Sequence, residues 1–94
     1  RPGQTPEPIV LRADAALEGY LRQRPLHPSQ RLVPVDEHGC RVELCLVPSA
    51  AFTARLLSYG ASLEVLTPLS LRHYLGHLLR LAADQYQPLP EEKK

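Results

Sequence analysis

Four groupings in this chain hold residue types that can do chemistry. His73 and His77 stand four residues apart in "HYLGH", the spacing that brings two imidazoles to one side of a helix, where they can share a metal ion. Ser29 follows His27 by two residues in "RQRPLHPSQR", so a hydroxyl and a base lie close together. Cys40 and Cys45 supply two thiols. Arg72, His73, His77 and Arg80 form a basic stripe that can meet an anion or an acidic partner.

Each grouping also has a plainer reading. Two histidines rarely specify a metal site alone, and no Glu follows His73 as the HExxH pattern requires. No metal and no cofactor are therefore expected. Nothing around Ser29 resembles a nucleophile elbow, and the loop sets where its side chain points. The odd spacing of Cys40 and Cys45 puts them on opposite faces of a strand, where they cannot bridge. They form no CxxC and precede no predicted helix, so they read as reduced, partly buried thiols of a cytosolic protein. With no assembled acid–base pair, no enzyme activity is expected. For the basic stripe, a solvated helix face is the plain reading and anion binding the functional one.

Composition narrows the classes further. Ninety-four residues make one domain, and 44% hydrophobic with 22% charged residues fits an ordinary globular one. A net charge of +1 is too even for a domain whose main task is gripping duplex DNA. Aromatic content is 5%, and the outward residues of the predicted third strand are Arg41, Glu43 and Cys45. A sheet that stacks RNA bases therefore has no platform here. No signal peptide and no bilayer-length apolar run occur. The chain lacks methionine and opens on Arg1, so a piece of a longer protein, cut at a linker, is expected.

The elements that must position these residues read as follows. Residues 1–8 hold three prolines and read as linker, residues 9–86 as the folded part, and residues 87–94 as a flexible tail. "PIVLR" is a strand, Asp14 caps a helix carrying Leu17, Tyr20 and Leu21 on one face, and Pro25 stops it. "QRLVPVD" is a second strand, placed at an edge by Pro34. A turn at "DEHG", with positive φ at Gly39, leads to "CRVELCLV", whose Val42, Leu44 and Leu46 face one way. Ser49 caps a helix with Phe52, Leu56 and Tyr59 on its stripe, and Gly60 ends it. "ASLEVL" is the fourth strand. Pro68 opens a last helix at its first position, with Leu71, Leu75, Leu78 and Ala82 apolar. The order predicts an α+β, ferredoxin-like βαββαβ fold, with a four-stranded antiparallel sheet and an extra C-terminal helix. One sheet face stays open unless the last helix or a partner covers it.

"RQRPLHPSQ", then "LLSYGASLEVLTPLSLR", then an apolar helix ending in "DQY", resembles the WCX domain, the C-terminal extension of bacterial WYL-domain transcriptional regulators. "HPSQ" is its most specific piece, and "VLR" fits the first strand of the family. Leu26 stands where the family often carries tryptophan. The resemblance implies a ferredoxin-like domain that follows a winged-helix DNA-binding domain and a WYL domain. It implies dimerisation and a share in effector response, with DNA bound by another domain of the parent, and no enzyme activity. The partners it suggests are a second copy and the parent's WYL domain, not a membrane. The alternative is an effector-sensing module for an anionic ligand such as a single-stranded nucleic-acid fragment. Candidate ligand or partner residues are Arg12, His27, Gln30, Arg41, Arg72, His73 and Arg80.

Overall fold

The computed structural model describes residues 5–90. Its elements run β1 Glu7–Asp14, α1 Ala15–Gln23, β2 Arg31–Asp36, β3 Gly39–Leu46, α2 Ala50–Ser58, β4 Leu63–Thr67 and α3 Leu69–Asp84. The sheet order is β2-β3-β1-β4, and every neighbouring pair is antiparallel. This is the ferredoxin-like α+β arrangement with an added helix. Of the expected linker and tail, residues 1–4 and 91–94 lie outside the described residues.

The two-residue alternation of β3 drives the layering. Cys40, Val42, Leu44 and Leu46 are buried beneath the helices, and Ile9, Leu11 and Ala13 of β1 lie beside them. Leu17 and Leu21 of α1, Phe52 and Leu56 of α2, and Leu71 and Leu75 of α3 close the core from above. Tyr20 was expected on the same face as Leu17, yet it stays about half exposed, set edge-on to Tyr59 at 6.0 Å with Arg24 over its ring. Asp14 and Ser49 are the helix caps, accepting from the amides of Leu17 and Phe52. The Leu17 amide and the Ser62 hydroxyl hold the Asp14 carboxyl below its ordinary range.

Several expectations are corrected. Strand β1 begins at Glu7, inside the stretch expected as linker, because Glu7 and Pro8 pair with Leu46 and Cys45. Gly39 does not have positive φ; that conformation belongs to Gly60. Glycine is required at 39 because a Cβ there would sit 2.1 Å from the Ala13 carbonyl oxygen. Pro68 precedes the first helical residue of α3 in an extended conformation instead of occupying it, and the Thr67–Pro68 peptide is cis. A 3-10 turn over Gly60–Ser62, not anticipated, separates α2 from β4. Helix α3 ends at Asp84, and Ala82 on its expected apolar stripe is exposed. Pro34 does lie on an edge strand, β2.

Candidate functional site

Helix α3 packs beside α2 and β4, so it leaves the far face of the sheet uncovered. That face carries charge. Val33, Arg41, Arg12 and Glu64 stand in one row across the four strands, and Arg31, Glu43 and Val10 stand in the next. Arg12 and Arg41 face each other directly across the β1–β3 ladder, a like-charge pair that is unfavourable by itself. Each turns to its own glutamate. Arg12 donates from Nε and Nη2 to Glu64 Oε1, and Arg41 donates from Nε to Glu43 Oε2 at 2.9 Å.

Glu64 is shared between two elements. Arg72 of α3 donates to its Oε2 at 2.6 Å and to the Val65 carbonyl at 2.8 Å. The Arg72 guanidinium, and then that of Arg12, hold the Glu64 carboxyl below its usual range. Glu43 is shared in the same way, with Arg31 Nη1 at 3.7 Å from its Oε1. Two carboxylates thus each serve two arginines, on a surface whose individual ion pairs contribute little alone.

His27 and Gln30, the most specific part of the sequence signature, have a structural role. Gln30 accepts from the Leu26 amide at 2.9 Å and donates to the Leu21 carbonyl at 3.1 Å, tying the loop to the end of α1. The Ser29 amide donates to His27 Nδ1 at 3.1 Å. A backbone N–H can only donate, so Nδ1 is the acceptor in this contact. Ser29 Oγ lies 2.8 Å from the same Nδ1 and accepts from the Cys45 amide at 2.9 Å. The prolines around this segment fix φ, and the side chains fasten it to α1 and β3.

His73 and Arg80 lie elsewhere, with Arg72, on the wall of a cleft of about 250 Å³ between α2, the 3-10 turn, β4 and α3. His73 and His77 gather no third metal ligand, and among the described residues no three-member group of His, Cys, Asp or Glu exists. Cys40 is buried and Cys45 exposed, and both are free. The seven candidate residues therefore fall into three places: Arg12, Arg41 and Arg72 in the charged network, His27 and Gln30 in the loop latch, and His73 and Arg80 at the cleft.

Sequence reasoning missed three participants. Glu64 is the carboxylate that joins Arg12 to Arg72, and its position opposite Arg12 depends on a pairing 52 residues apart. Arg55 donates to the Arg24 and Pro25 carbonyls and to the Tyr59 hydroxyl, clamping α2 to the chain leaving α1. Gly76 stands between Arg72 and Arg80, one turn from each. A glycine in a helix interior is costly, and that cost was the available signal.

A ferredoxin-like domain with an added helix, a charged open sheet face and a latched 27–30 loop is the class these features define. The family model of the WCX domain matches residues 5–83, and the chain belongs to that family. No curated protein matches the chain. No helix among the described residues is long and apolar enough to cross a membrane.

Proposed function

We propose that this chain is the C-terminal regulatory domain of a WYL-family transcriptional regulator, and that its open sheet face is an assembly surface for a second copy or for the parent's WYL domain. Membership of the WCX family over residues 5–83 carries the reading. The open face supports the assembly part. It presents Arg31 and Arg41 beside Glu43, and Arg12 beside Glu64, so a two-fold related copy can meet each charge with its opposite. The role is one of binding and response, not catalysis. DNA is contacted by another domain of the parent, consistent with the even charge of this one.

Sedimentation of the chain over a wide concentration range, alone and joined to the WYL region, tests the proposal. Association that weakens with salt and is lost in Arg41→Glu is expected. A monomer under all conditions, with and without the WYL region, overturns the assembly reading. The nucleic-acid effector reading has less support, because Arg12, Arg41 and Arg72 are each already turned to a glutamate. Titration of short single-stranded oligonucleotides into the parent protein and its Arg12→Ala/Arg72→Ala variant measures it directly. An unchanged affinity removes it.

A further inference from the structure

The cleft between α2 and α3 has an apolar floor and one uncommitted cation. Leu56, Val65 and Leu75, all buried, form the floor, and Leu63 and Leu79 continue it upward. Arg72, Gly76 and Arg80 run along α3 at one-turn intervals on the cleft side. Arg72 is occupied by Glu64 and the Val65 carbonyl. Arg80 meets no carboxylate among the described residues. Its side chain reaches back one turn, as helical side chains do, and its guanidinium lies above Gly76.

Gly76 lies directly beneath that head group. A Cβ at 76 would stand 3.4 Å from Arg80 Nη1 and 3.7 Å from Nη2, in contact with the head group. These are ordinary van der Waals distances, so glycine gives the guanidinium room against the helix backbone without being demanded by it. On the facing wall Gly60, at φ +55, likewise presents no side chain. Glu64 and His73 also line the cleft, with the Glu64 carboxylate already engaged by Arg72 and Arg12, so Arg80 is the lining cation left for a ligand above the apolar floor.

We infer that this cleft binds a small organic acid with an aliphatic or aromatic body, its carboxylate on Arg80 and its apolar part over Leu56, Val65 and Leu75. A guanidinium offers a planar fork that matches a carboxylate. The volume of about 250 Å³ suits a compact acid and is too small for an oligonucleotide. The site lies on the helix side of the sheet, so it does not depend on the assembly proposed above.

Amide NMR of the full chain tests it, with the Gly60 and Gly76 resonances as reporters on opposite walls. Hexanoate is expected to shift both in a saturable, millimolar titration, and hexanol to bind about tenfold more weakly, the loss of one charge-assisted contact. Inorganic phosphate is expected to produce no saturable shift. Arg80→Gln should weaken hexanoate about tenfold while leaving the thermal midpoint unchanged. Gly76→Leu, which fills the space under the guanidinium, should raise the thermal midpoint and abolish binding. The assignment is overturned if hexanoate gives no saturable shift, if hexanol or phosphate matches it, or if Arg80→Gln binds as tightly as the parent sequence. Association measured by sedimentation reads the assembly proposal separately, so either can fail alone.

Discussion

Ser29 stands opposite Cys45 where strand β2 has not yet begun, and its hydroxyl takes the Cys45 amide at 2.9 Å in place of a strand carbonyl. The ladder register pairs Arg31 with Glu43, so continuing it by two residues would pair residue 29 with residue 45. A side chain thus prolongs the sheet by one hydrogen bond. The same hydroxyl lies against His27, which joins the loop's direction to the sheet's edge.

Removing that hydroxyl should cost about 1 kcal/mol, because Ser29→Ala takes the side-chain acceptor from the Cys45 amide while His27 Nδ1 keeps the Ser29 amide. Gln30→Ala should cost about 1–3 kcal/mol, since it frees the Leu26 amide and the Leu21 carbonyl together. Urea unfolding measures both. Ser29→Ala and Gln30→Ala variants that unfold at the parent midpoint would contradict the latch.

Two glycine substitutions should act in opposite directions. Gly39→Ala drives a methyl into the Ala13 carbonyl and should destabilise by about 1–3 kcal/mol. Gly19→Ala meets nothing within 4 Å in the exposed interior of α1 and should stabilise by about 1 kcal/mol. Thermal unfolding of the two variants side by side decides the matter, and a destabilised Gly19→Ala would go against the account of α1.

Glu64 gives the fold a pH dependence of definite sign. Its carboxyl is held below the ordinary 4.5 in the folded chain, so its stabilisation is complete above that value. It is lost as pH falls through the lower, folded value. Glu64→Gln should therefore be less stable than the parent at neutral pH, by under about 1 kcal/mol for so exposed a group. The difference should close as pH drops below 4.5. A gap that persists or widens in acid would contradict the shared ion pair.

The thiols should differ sharply in reactivity. Cys40 is fully buried, and burial pushes its thiol up from the ordinary 9.0, while Cys45 is exposed on the open face. Ellman's reagent should titrate one thiol in the folded chain and two in denaturant. Two fast thiols in the native protein would place Cys40 wrongly.

Elements with a strong local signal were legible from the sequence. The alternation of Val42, Leu44 and Leu46 marked β3 and its buried face, and Asp14 and Ser49 marked two helix starts because capping depends on residues three apart. The ferredoxin-like class followed from the order of the elements and the handedness of crossovers, whereas the strand order came from the structure. Features that depend on distant neighbours were not legible. Gly39 is needed because the β1 backbone passes beside it, and nothing within the turn "DEHG" records that approach. Arg12, Arg72 and Arg80 were visible as basic residues, but Glu64 occupies two of them and leaves the third, a distinction set by side-chain reach across the tertiary fold. The family signature "HPSQ" was found, but its latch role required the positions of Leu21 and Cys45.

Helix α3 is 16 residues long, about 24 Å, whereas the five residues of β4 beside it span about 17 Å. Its apolar anchors, Leu71 and Leu75, lie in the first two turns, while Leu79, Leu81 and every later residue of the helix are exposed. One continuous helix is therefore expected to show two regimes of hydrogen exchange. Amides of the anchored turns should open only with the whole domain, and those beyond Gly76 should open locally, as a fraying segment. Local opening there should leave the core intact while taking Leu79 and Arg80 off the cleft wall, so a ligand held at the cleft should slow exchange of the outer half.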